Sequence, residues 1–512
     1  VAKYYGYGGK VAGSLESIKG KRWNQMTPTE QVDLEVYCDN DVEIMWKIFE
    51  KMVDNYPHDE LDLIDLSIKA FARPLLMVDN KLVNEERRRE IGEQRDLLER
   101  VATHSGMDVS DIRNTLSSNP QFADLLRKYE VEPPLKPSPS DPEKETYAFA
   151  KNDIAFQTLG VHRNEEVRDL INARLAIKST IGLSRATRVR EHSVDGTLPI
   201  PIMLNYCKAH TFRWTGGDKI NPQNFPSSRT SSKLRYTLVA PKGYAIVVID
   251  SSQIEDRMNA YVAGQQDVLQ AYASGEDNYK LMASRIYGKN PDQITKSERF
   301  VGKVARLGLG YQCGVGKFNY MLRSGAMGPP LYEDDLSDQE IAKAHAIYRA
   351  ASPAVTRQWW YMNQVITWMK HGERTLLTSN TDGAPLAMVG KGHILMPNGL
   401  KLHYPNIDTD DLGNQTYQSG KHQRSKIYGG LLTENYIQSL ARIVVGEQML
   451  KIAKEYPVVM MTHDEVVYLA PEKEAEDAYN FGYECMTWVP DWCPGLPINA
   501  DGGYGKTYGN VK

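Results

Sequence analysis

Cysteine is scarce in this chain, with five in 512 residues: Cys38, Cys207, Cys313, Cys485 and Cys493. Their number is odd and no two form a C-x-x-C pair. That excludes a disulfide framework and a cysteine-based zinc cluster, and it points to a reducing compartment. Long hydrophobic runs are lacking too. No apolar stretch approaches the roughly 18 residues of a membrane helix, and mean hydropathy is -0.48. A membrane-spanning chain is excluded, and a cytoplasmic location is expected. Charge of one sign is not in excess: 61 Lys and Arg stand against 65 Asp and Glu, a net -4. Coating nucleic acid by bulk charge is therefore not expected. The opening VAKYYGYGGK has neither an initiator Met nor the apolar core of a secretory signal, so the chain is expected to begin inside a longer gene product.

What is present fits a large globular protein, 41% hydrophobic and 25% charged. The length suggests about three to four domains. Charge is unevenly placed: residues 151–240 hold 14 Lys and Arg against 7 Asp and Glu, which leaves the remainder at -11. A basic segment in an acidic chain suits a polyanion, although a solvated helical face reads the same way from charge alone.

Apolar residues recur at helical spacing over 30–55, 59–130 and 165–190, and 265–375 is mostly helical. The segment VEPPLKPSPSDPEKE (131–145) is expected to be an irregular connector. AIVVI (245–249) reads as a short buried strand, and VVMMTHDEVVYLA (458–470) as two apolar runs around a charged turn. An α+β domain carrying a helical lobe is expected.

Asp250 directly follows AIVVI, and Asp464 and Glu465 occupy the second turn. If the two segments share a sheet, Asp250 and Asp464 converge on a common metal, as two hard cations need for in-line phosphoryl transfer. Taken singly, each reads more readily as a turn-forming acid. In SERFVGKVARLGLGYQ, Arg299, Lys303, Leu307 and Tyr311 step by four residues and share one helical face. Two cations followed by an aromatic suit a triphosphate and a base. Gly302, Gly308 and Gly310 lower helix propensity there, which suggests a helix that moves.

The order IDSSQIEDR, then R-x3-K-x7-Y, then HDE resembles motifs A, B and C of the family A (DNA polymerase I-like) DNA polymerases, in their phage-type branch. HTFRWTGGDKINPQNFP (210–226) is similar to the family's primer–template segment before motif A. ENYIQSLAR (434–442) resembles its helix before motif C, and NARLAIKSTI (172–181) its thumb segment.

The resemblance implies a right-hand polymerase fold, an antiparallel β palm with helical thumb and fingers. It implies a template-directed DNA polymerase that acts in replication, with two Mg²⁺ ions, primer–template DNA and dNTPs as partners. A monomer in the host cytoplasm is expected. Its domains would be an exonuclease remnant (1–57), thumb and connecting helices (58–210), palm (211–264), fingers (265–390) and palm again (391–512). Asp250 and Asp464 would hold the metals, with Glu465 in support. Arg299 and Lys303 would grip the triphosphate, and Leu307 and Tyr311 would face the nucleotide. Gln253 would line the same site, and Glu255 would crowd a ribose 2′-OH. Arg213, Gln438 and His463 would contact the primer end, and Lys178, Ser179 and Thr180 the duplex.

Four positions depart from the family pattern. Gln312 stands where Gly is general, Ser251 where Tyr is frequent, Tyr279 where His is common, and Leu307 for Phe or Tyr. Near the start, Tyr37 and Asp41 lie one helical turn apart and resemble the third motif of the family's 3′–5′ exonuclease, whose first two motifs do not appear upstream. Proofreading is therefore expected to be incomplete. A single-subunit RNA polymerase would share the metal acids and the Lys/Tyr helix, but Glu255 opposes ribonucleotides. A non-catalytic DNA-binding protein would have no need of Asp250, Lys303 and Asp464 together.

Overall fold

The structure, a computed structural model, describes residues 6–7, 17–138, 141–217, 220–226, 232–325, 327–332 and 334–511. Most of the opening VAKYYGYGGK, residues 139–140 of the proline-rich segment and residues 218–219 of HTFRWTGGDKINPQNFP lie outside them. Two compact units are present, residues 1–62 and 63–512. In the first, helix α1 (Pro28–Val53) begins at a capping box, with the Thr27 side chain accepting from the Glu30 N–H and Pro28 at the first turn. Both devices satisfy or remove N–H groups that a helix start leaves without partners. Tyr37 is buried on α1, one turn before Asp41.

The second unit is built on a four-stranded antiparallel sheet of β1 (Tyr244–Ser251), β2 (Val458–Thr462), β3 (Glu465–Pro471) and β4 (Ala500–Gly505), in the order β2-β3-β1-β4. Alternation along β1 explains why AIVVI is apolar without a break. Ile246 and Val248 pack on one side with Val83, Val189 and Ile202. Val247 and Ile249 pack on the other with Val445, Met449 and Met486. A sheet covered on both faces needs apolar residues at every position.

The helical lobe comprises α2 (Ile254–Ala263), α3 (Asn278–Tyr287), α4 (Lys296–Leu309) and α5 (Pro353–His371), together with 266–273, 315–323 and 338–351. Helices α6 (Gly429–Ala453) and α7 (Ala475–Thr487) cover the sheet through the second of those cores. A separate helical layer, 80–105, 109–117, 119–128, 165–178 and 181–192, includes its own core around Phe122, Phe156 and Leu170. None of the five cysteines is in a disulfide. Among the described residues no helix is long and apolar enough to cross a membrane.

Two expectations need correction. The proline-rich segment is a β-ribbon: 135–138 pairs antiparallel with 141–147, with a register irregularity at Pro137 and Ser138. A two-stranded ribbon is all edge, where a missing proline N–H is tolerated. The stretch 375–426 forms a four-stranded and a three-stranded antiparallel sheet. Its strands are short and polar on one face, so their alternation is weak.

The glycines of α4 serve close packing rather than a loose helix. A Cβ on Gly302 would lie 2.1 Å from the Tyr279 carbonyl oxygen of α3, and one on Gly308 2.7 Å from Met321 Sδ. Propensity alone predicts that Gly302→Ala stabilises by about 1 kcal/mol. The contact predicts the opposite sign, a loss of about 1–3 kcal/mol from overpacking against backbone. Urea unfolding of the variant decides between them, and a gain in stability would mean that α3 and α4 separate without cost.

Candidate active site

Asp250 is the next-to-last residue of strand β1, and its backbone pairs with Glu465 on one side and Asp501 on the other. The next strand boundary is a two-residue turn: Thr462 opposes Glu465, with His463 in the left-handed region at φ 59° and Asp464 beside it. The Ser251 N–H donates to the Asp464 carbonyl at 3.0 Å. The two segments expected to be neighbours are thus locked together, and both Asp250 and Asp464 line one cleft of ≈ 490 Å³.

That cleft also takes in Gln253, Glu255, Lys303, Leu307, Tyr311 and Gln438. Lys303 and Leu307 come from α4, while Tyr311 lies just past its end at Leu309. Burial, and the charges of Asp256 and Glu434, push the Tyr311 phenol well above its ordinary range, so it stays protonated. Glu434, on α6, and Tyr279 and Lys317 line the cleft as well. Glu434 and Lys317 were not expected. The signal available for Glu434 was its place one helical turn before Gln438.

Other expected residues are placed differently. Arg213 forms an ion pair with Glu255; burial draws its pKa below the usual guanidinium range, and the charges of Asp464 and Glu434 only partly oppose this. Arg299 does not line the cleft. Its Nε donates to Asp277 Oδ2 at 2.6 Å and its guanidinium stands 5.3 Å from the Tyr279 ring centre. Glu465 is buried, accepting from Thr462 Oγ1 at 2.9 Å and Tyr508 OH at 2.7 Å. Exposed Lys178, Ser179 and Thr180 are not in the cleft lining. Lys178 Nζ donates to the Ser117 carbonyl at 2.8 Å, and Lys178 and Ser179 border a second cleft of ≈ 680 Å³ with Arg174 and Tyr147.

One buried ion pair holds the cleft wall to its floor. Arg306 of α4 and Asp256 of α2 are each 3% exposed, with Nη2 2.8 Å from Oδ1. Tyr272 donates to the same carboxylate at 2.5 Å. Burial opposes the Arg306 charge, but Asp256 outweighs it and holds the guanidinium proton more tightly than usual.

Of the four carboxylates that line the cleft, Asp250 and Asp464 stand at the strand ends as hard oxygen donors suited to a divalent cation. Among the described residues no group of three or more His, Cys, Asp or Glu side chains is placed to enclose a metal. Such a sparse donor set fits a cation that keeps water or substrate oxygens as its other ligands.

A central antiparallel sheet with a helical lobe on one flank and a cleft at the strand ends defines the right-hand polymerase fold. A solved structure described as the POL domain of Pol1 from M. smegmatis in complex with DNA primer-template and dNTP superposes with a TM-score of 0.62 at 18% identity, over 98% of this chain and 80% of that one. Residues 115–367 match the model of DNA polymerase family A. That match takes in just under half of the chain. Relatives include a DNA polymerase of Bacillus phage SP02, 30% identical over 286 residues that make up 53% of this chain and 42% of the relative. DNA polymerase I of Chloroflexus aurantiacus is 25% identical over 286 residues, 55% of this chain and 26% of that one. This chain therefore spans less than half the length of these relatives.

Gln312 explains one departure from the family pattern. Its φ is +62°, a conformation that glycine adopts freely and other residues at a cost. Its Oε1 accepts the Gly430 N–H at 3.0 Å, next to Gly429, whose N–H donates to Asn363 Oδ1 at 2.7 Å. These are two of the four donors that the start of α6 leaves without helical partners. The side chain thus offsets the strain of its own backbone. Gln312→Ala keeps the strain and loses the bond, whereas Gln312→Gly loses only the bond. Thermal unfolding should find the Ala variant less stable than the Gly variant by about 1 kcal/mol, and equal stabilities would contradict this account.

Proposed function

We propose that this chain is a template-directed DNA polymerase that adds dNTPs to a primer 3′ end with two Mg²⁺ ions. The observation that carries this reading is a single cleft in which Asp250 and Asp464 share the walls with Lys303, Leu307 and Tyr311. One part of the cleft collects negative charge and another presents a cation, an arrangement suited to a triphosphate bridged by metal. When bound, the cations would neutralise charge on the transferring phosphoryl group and lower the pKa of the attacking hydroxyl.

The chain's own groups do the rest. Asp250 and Asp464, held by the strand pairing, would hold the cations. Lys303 would bind the triphosphate as a point charge. Arg299 would join it by giving up Asp277. Leu307 and Tyr311 would cover the sugar and base, with Gln253 beside them. Arg213, Gln438 and His463 would meet the primer end. Lys178, Ser179 and Thr180 would follow the duplex from the helical layer. Glu465 would act through the turn that carries Asp464. In domain terms, 58–210 would be the thumb, 211–264 and 391–512 the palm, and 265–390 the fingers. Residues 1–57, with Tyr37 and Asp41, would derive from a 3′–5′ exonuclease domain. A monomer working in the cytoplasm fits this reading.

Asp250→Ala and Asp464→Ala should each abolish primer extension while leaving duplex binding largely intact, because the carboxylates act on charge that develops in the transition state. Extension assays paired with band-shift binding check this, and near-normal extension by either variant would refute the metal site.

Glu255 is expected to crowd a 2′-OH, and its pairing with Arg213 supports a fixed position for it. Glu255→Ala should raise the efficiency of rNTP relative to dNTP incorporation by about tenfold or more, which corresponds to some 1.4 kcal/mol. Equal losses with both nucleotides would instead make Glu255 a structural partner of Arg213.

A further inference from the structure

Helix α5 has a composition at odds with an acidic chain. Its nineteen residues, PAVTRQWWYMNQVITWMKH, contain no Asp or Glu, and they hold Arg357, three Trp and one Tyr. Its inward side is accounted for. Trp359 is buried and its Nε1 donates to the Gly310 carbonyl at 2.8 Å, at the end of α4, while Asn363 caps Gly429. Its outward side is not accounted for by packing. Trp360 is 70% exposed and Tyr361 40%. Arg357, also exposed, lies one helical turn before both. Tyr361 meets Trp368 edge-on at 5.7 Å, so the aromatic strip continues for two turns. Beside it, Arg357 and Tyr361 border a cleft of ≈ 370 Å³ whose wall includes Gln358, Thr378 and Asn380.

We propose that this face is a stacking platform for single-stranded nucleic acid, namely the template strand ahead of the cleft. Exposed flat rings at helical spacing offer surfaces on which any base can stack, with Arg357 and neighbouring amides for the backbone. The absence of carboxylates on the helix leaves nothing on α5 itself to repel phosphate. Trp359 and Asn363 tie the opposite side of α5 to Gly310 and Gly429, adjacent to Tyr311 and Gln312. A strand leaving that end of the cleft therefore has about one helix diameter, some 10 Å, to cross before it meets the rings. This inference rests on the reading of the cleft as a primer–template site.

The test is fluorescence anisotropy with labelled primer–template duplexes, one carrying a template overhang of about 10 nucleotides and one blunt, at equal salt. Wild-type protein should bind the overhang duplex about tenfold more tightly than the blunt one. The doubly substituted Trp360→Ala, Tyr361→Ala protein should lose that preference, and Trp360→Phe should keep most of it. An overhang preference that is absent from wild type, or unchanged in the double variant, overturns the proposal. So does a double variant whose sedimentation changes while its overhang preference does not, because the face would then join copies of the chain. Failure of the underlying reading is distinguishable, since it would show as no binding of the blunt duplex by any of the proteins.

Discussion

Strand β1 is hydrogen-bonded along both edges and buried on both faces, and the cleft depends on that. A strand so held has little freedom to twist or shift register, because a slip of one residue would exchange its two packed faces. Its last residues inherit the rigidity. Asp250 sits in register with Glu465 and Asp501, and Ser251 is bonded to Asp464. Two acids separated by more than two hundred residues therefore reach the same cleft by backbone geometry, without a side-chain contact having to form first.

The second constraint is the buried pair Asp256–Arg306 with Tyr272. Taking both charges out of water costs several kcal/mol per ion, and their attraction recovers this only with good geometry and full hydrogen bonding. Here the carboxylate meets both the guanidinium and a phenol, which suits registration more than net stability. The pair sets α4 against α2, and with it the position of Lys303 relative to Asp250. Trp359 and Gln312 fasten the far end of α4 and the residues after it to α5 and α6. The wall of the cleft is thus attached at several separate points along its length.

Legibility in the sequence followed the strength of local signals. AIVVI and VVMMTHDEVV announced buried strands because a doubly covered strand is apolar throughout. The step of four from Arg299 to Leu307 announced a helix face, and Lys303 and Leu307 do share the cleft lining. The ribbon at 135–147 was hidden by its prolines, which ordinarily exclude a ladder but are admissible where every strand is an edge. The sheets of 375–426 were hidden because most of their strands are only two to four residues long. Gly302 was misread because propensity counts a glycine's cost to its own helix and cannot see the carbonyl of Tyr279 that requires it.

The order of motifs along the chain, the strand-end placement of Asp250 and Asp464 and the alternation of apolar residues were determined by the sequence alone, since each depends on neighbours a few positions away. Only the tertiary structure decided that Arg299 is held by Asp277, that Arg213 pairs with Glu255, that Glu434 enters the cleft, and that Gln312 spends its side chain on Gly430. Each of these joins elements between 20 and more than 100 residues apart in the chain, or depends on where two such elements meet. Local pattern carries no information about such partners, because the packing that brings them within hydrogen-bond distance is a property of the whole fold.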